Sequence, residues 1–136
     1  MTQFSDSSIN MEPVFVKQDL SNVKDELAIS AVEMEFCHNL FTSILNEENA
    51  VQLTKYTNIL NALENLRADN EMLKTELLSL SIKLEGYAEC DDMQCEKFYS
   101  SNHLAYKEKV EKHFSQYRTL KKKLLLRVNM ATVSNK

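Results

Sequence analysis

The chain has 136 residues, is 43% apolar and 26% charged, and contains one glycine, one proline and no tryptophan. That apolar fraction excludes a disordered tail, and the scarcity of Gly and Pro excludes turn-rich sandwiches and barrels. The net charge of −4 is uneven: residues 104–136 hold nine basic and two acidic groups, so a basic final third follows an acidic body.

Residues 1–12 read as a flexible lead-in, polar around Ser5-Asp6-Ser7-Ser8 and without the basic-then-apolar order of a secretory signal. Pro13 suits a first helical turn, where its missing N–H is no loss, and Asp19 or Ser21, good N-caps, offer a competing start. Neither glycine nor proline occurs from Val14 to Glu85, and these are the two strong helix breakers. A long helical segment over 13–85 is predicted. Its first half carries apolar residues in alternating steps of four and three: Val16, Leu20, Val23, Leu27, Ser30, Met34, Cys37, Phe41 and Ile44. A second row, Ile29, Val32, Phe36 and Leu40, widens this face beyond a two-stranded seam and points to a helical bundle. The polar stretch Asn46-Glu47-Glu48-Asn49 reads as a bend in a continuous or slightly broken helix, with a fold-back loop as the alternative.

A heptad coiled coil is predicted at 56–87. Tyr56, Leu63, Asn70, Leu77 and Leu84 take position a; Ile59, Leu66, Leu73, Leu80 and Tyr87 take position d. The predicted partner-binding seam is Ile59, Leu63, Leu66, Asn70, Leu73, Leu77, Leu80 and Leu84. A polar residue at a, such as Asn70, lowers stability but penalises shifted registers. Asp69 and Lys74, at g and e, hint at a parallel pairing worth at most about 1 kcal/mol.

Gly86 and the acidic Asp91-Asp92 mark a break and short linker over 86–102, with Ser100-Ser101-Asn102 as a further turn or N-cap. A basic C-terminal helix is predicted over 103–128, with His103, Tyr106, Val110, His113, Tyr117, Leu120 and Leu124 on its apolar face, followed by a frayed tail over 129–136.

Chemistry-bearing constellations are few. Cys37, Cys90 and Cys95 read as free thiols of a reducing compartment, because an odd count leaves one unpaired in a monomer. Cys90, Cys95 and His103 have metal-ligand types but lack the spacing and fourth ligand of a zinc site. Cys37 and His38 are adjacent, and neighbouring helical residues do not face each other, so they do not form a nucleophile–base pair. No phosphate-binding or hydrolase motif is present, so no enzyme, cofactor, metal or small-molecule substrate is expected. Arg118, Lys121, Lys122, Lys123 and Arg127 have three readings. The plainest is a charged helix end favoured by the macrodipole. The others are contact with an acidic surface, such as a microtubule or anionic membrane, and a weak nucleic-acid or nuclear-import patch. A zipper-type DNA binder is contradicted, since no basic region precedes the heptads.

The expected fold is therefore all-α: an elongated coiled coil or helical bundle completed by partner chains, because leucine-lined rods have too little interior of their own. In its heptads from Tyr56 to Tyr87, its short polar lead-in and its basic last helix, the chain resembles the small coiled-coil accessory subunits of mitotic assemblies, of augmin or kinetochore type. The resemblance implies a structural role in organising spindle microtubules or attaching chromosomes, with other coiled-coil subunits as partners. It also implies a cytoplasmic, spindle-associated location, with a nuclear one as the alternative. The competing function is a small helical subunit of a membrane-trafficking complex, of lysosome-biogenesis or tethering type. The longest aliphatic run, Leu124-Leu125-Leu126, is far short of a transmembrane span.

Overall fold

A computed structural model describes the backbone of residues 13–45 and 50–134, and the side chains of 13–45 and 54–130. The described residues are all-α: α1 is Pro13–Leu45, α2 is Ala50–Lys83, a 3-10 helix occupies Leu84–Glu89, and α3 is Met93–Ser134. The lead-in over 1–12, the bend at 46–49 and residues 135–136 of the predicted tail lie outside the described residues; the rest of that tail is corrected, since the backbone stays helical through 129–134.

The chain forms two compact units, Met1–Leu27 with Met72–Glu111, and Ala28–Glu71 with Lys112–Lys136. Each takes one stretch of α1, one of α2 and one of α3. In the second unit α1 and α2 run antiparallel: Phe41 meets Tyr56 edge-to-face at 5.2 Å, and His38 lies 3.2 Å from Glu64. In the first unit α2 and α3 are also antiparallel, since Tyr87 bonds Ser100 while Tyr106 bonds the Leu73 carbonyl. The segment over 13–85 is thus two helices that fold back on each other, which corrects the expectation of one continuous or slightly broken helix. An antiparallel neighbour from the same chain buries the apolar row without a second molecule.

The 3-10 helix covers Gly86, whose φ is not positive, and ends at Cys90, where the backbone turns extended. Asp92 then caps α3: its Oδ1 accepts the Cys95 N–H at 2.8 Å, an N-cap contribution of about 1 kcal/mol. The predicted linker over 86–102 is corrected accordingly, because α3 begins at Met93 and not at 103. Ser100 and Asn102 are tolerated inside the helix because each has a bond to make. The Ser100 hydroxyl pairs with that of Tyr87 at 2.9 Å, and the Asn102 amide donates to the Phe98 carbonyl at 2.7 Å.

The second unit's core is Met34, Cys37 and Phe41 from α1, Tyr56, Leu63 and Leu66 from α2, and Tyr117, Leu120 and Leu124 from α3. Burying one such side chain contributes roughly 1.5–3 kcal/mol. In the first unit Val16, Leu20, Val23 and Leu27 are buried, as are Leu73, Leu77, Leu80, Leu84 and Tyr87, and Tyr106 and Val110.

Candidate functional site

The predicted seam packs inside the chain. Leu63, Leu66, Asn70, Leu73, Leu77, Leu80 and Leu84 are buried, and Ile59 is half-buried against the second unit's core. Leu63 and Leu66 meet residues of α1 and α3, so the face reserved for another polypeptide is already filled. Heptad spacing reports which residues are covered, not whose side chains cover them.

Polar groups set the register of the helices. Asn70 is 1% exposed, and its Oδ1 lies 2.9 Å from His113 Nε2, so α2 and α3 share one buried hydrogen bond in the second unit. His113 Nδ1 is buried without a hydrogen-bond partner. Burial lowers the pKa of His113, against an opposing pull from Asp69, and keeps the ring neutral as donor to Asn70.

A second device joins α1 to α3. In the first unit Asp19 holds His103 at 2.6 Å and Lys107 at 3.1 Å. The second unit repeats the pattern: Glu33 accepts from Tyr117 at 2.5 Å and from Lys121 at 2.9 Å. The sequence separations are 84 and 88 in both cases, so one carboxylate of α1 takes two groups one turn apart on α3. The hydrogen bond from Tyr117, then that from Lys121, lowers the pKa of Glu33. Burial, and then the bond to Glu33, raises that of Tyr117. Asp19 is thus a link to α3 inside α1 and not an N-cap, since α1 already begins at Pro13; the signal for both carboxylates is the two-heptad spacing of Asp19 and Glu33, matched by His103 to Tyr117 and Lys107 to Lys121.

The basic residues of α3 are not equivalent. Arg118, Lys122 and Lys123 are exposed, whereas Arg127 is half-buried. Lys121 is engaged with Glu33 and lies over the Tyr117 ring at 5.2 Å. Arg118, Lys122 and Lys123 are therefore the members turned to solvent.

The cysteines also divide. Cys90 and Cys95 are joined by a disulfide across the connection into α3, which corrects the reading of three free thiols. Their spacing brings the Cα atoms to 5.6 Å because the chain turns between the 3-10 helix and the first turn of α3. Cys37 is a free, buried thiol whose pKa is raised by burial and then by Glu33.

Exposed large apolar residues occur on every helix, among them Val14, Phe15, Leu78, Ile82 and Leu126, and three belong to the second apolar row of α1, whose fourth member, Leu40, is half-buried. Ile29, Val32 and Phe36 are 66%, 71% and 64% exposed. Large apolar side chains grouped on one helix face mark an interaction surface more often than scattered ones do. No protein-family model, curated protein or solved structure matches the chain. Among the described residues no helix is long and apolar enough to cross a membrane, and no group of three or more His, Cys, Asp or Glu is placed to hold a metal ion.

Proposed function

We propose that this chain is a non-enzymatic structural subunit that holds other proteins within a multi-protein complex. The observation that carries the reading is the solvent-exposed row Ile29, Val32 and Phe36 on α1, left over after the heptad seam is filled by the chain's own helices. The non-enzymatic part is supported by the use made of the reactive side chains. His103 and His113 bond Asp19 and Asn70 within the helix packing, and Cys37 is buried with its thiol pKa raised. The assembly we propose is one that organises spindle microtubules or kinetochore attachment, and Arg118, Lys122 and Lys123 supply an exposed basic face for an acidic surface.

Two measurements test this. Tagged at its endogenous level, the chain is expected to elute from native cell extract well above its own 15.7 kDa. Elution as a free monomer refutes the subunit reading. Purified chain is expected to co-sediment with microtubules, and Arg118→Glu with Lys122→Glu and Lys123→Glu to abolish it. No co-sedimentation by the wild type, or none lost in the variant, refutes the microtubule part.

A further inference from the structure

We propose that a groove between α1 and α3 in the second unit receives one acidic amphipathic helix from another protein, a claim that rests on the subunit reading and names the partner's chemistry. The bonds from Tyr117 and Lys121 to Glu33 show which side of α1 meets which side of α3. At about 100° per residue, Ile29, Phe36 and Leu40 lie within about 60° of Glu33, turned away from the core residues Met34, Cys37 and Phe41, with Val32 about 40° beyond. On α3, Phe114, Leu125 and Arg118 follow Tyr117 at about 60°, 80° and 100°, again on the side away from Leu120 and Leu124, and Lys122 comes next. The two series border one groove. Its α1 wall is Ile29, Val32, Phe36 and Leu40; its α3 wall is Phe114, Arg118, Lys122 and Leu125.

Exposure agrees with that placement. Ile29, Val32 and Phe36 are more than three-fifths exposed, Leu125 is 46% exposed, and Leu40 and Phe114 are half-buried. Glu33 is paired with Lys121, and Arg118 and Lys122 stand exposed along the α3 wall as cations free to meet an acidic partner. From Ile29 to Leu40 the wall runs about 17 Å, three helical turns. An apolar strip of three turns bordered by cations fits a helix with leucines on one face and glutamates beside them, added to three helices as a fourth.

The experiment titrates the full chain with a fluorescent helical peptide bearing leucines on one face and glutamates elsewhere. A counterpart has every glutamate replaced by lysine. The acidic peptide is expected to bind at least about tenfold tighter than the basic one. Val32→Glu with Phe36→Glu should weaken it by about tenfold or more, since both anchors are lost. Arg118→Glu with Lys122→Glu should reverse the preference, with thermal melting of both variants unchanged because all four residues face solvent. Equal affinity for the two peptides overturns the proposal, as does binding indifferent to Val32 and Phe36. A chain that sediments alone as a dimer, split by the Val32 and Phe36 changes, also overturns it and makes a second copy the occupant. If the peptide fails while the chain still elutes as part of a large complex, the groove falls and the subunit reading stands; free monomer in extract removes the latter.

Discussion

Truncating Asn70 to alanine removes the acceptor of the buried bond from His113, leaving the His113 Nε2–H unsatisfied beside an Nδ1 that already lacks a partner. The two residues are 1% and 4% exposed, so water does not replace the lost bond. A buried polar group stranded in this way costs about 1–3 kcal/mol. At about 2 kcal/mol the melting temperature drops by roughly 8 °C for a domain of this length. His113→Ala removes the donor facing Asn70 Oδ1 and costs a similar amount plus lost packing. In the double variant both partners of the bond are gone, so the two losses do not add, and a coupling of about 1–2 kcal/mol is expected. Urea denaturation at pH 7.5 of the wild type, both single variants and the double variant measures it. Additivity within about 0.5 kcal/mol refutes the view that this bond is buried and specific.

Four further outcomes are expected. Because burial lowers the pKa of His113 below its ordinary 6.5, the unfolded chain takes up a proton that the folded chain refuses. Its contribution is therefore complete above pH 6.5 and is lost as pH falls toward the folded-state value, and His113→Gln should flatten that part of a denaturation-versus-pH curve. A native sample should show no thiol reactive to a colorimetric disulfide reagent, and one per chain, Cys37, once denatured without reductant; three would show that Cys90 and Cys95 are not bonded. Reduction should lower stability by about 2 kcal/mol, the loop-entropy value for so short a ring. A Cβ at Gly86 would lie 2.7 Å from the Tyr99 hydroxyl oxygen, although the φ there suits any residue. Gly86→Ala should therefore bring no gain in the wild type but stabilise the Tyr99→Phe background by about 0.4–1 kcal/mol in the same denaturation assay.

The heptad arithmetic was legible because it is local. An α-helix turns its side chains at a constant angle, so spacing alone marks the positions that will be covered, and nine of the ten residues assigned to a and d from Tyr56 to Tyr87 are buried. The helical character of 93–102 was not legible. Gly86 and the run Ser100-Ser101-Asn102 carry the composition of a linker, and only the side-chain bonds of Ser100 and Asn102, made to Tyr87 and Phe98, show why a helix persists there. The Cys90–Cys95 bond was hidden for a similar reason, since it depends on how the backbone turns between two helices.

Periodicity, composition and the absence of breakers were enough to require helices with a continuous apolar face, since those constraints act between residues three and four apart. Whether that face would be covered by this chain or by another depends on contacts between residues more than eighty apart, such as Glu33 with Tyr117, and no local pattern encodes them. Folding back let α1 and α3 satisfy α2 from within. It also left Ile29, Val32 and Phe36 exposed to solvent, because they lie on the side of α1 turned away from its core residues.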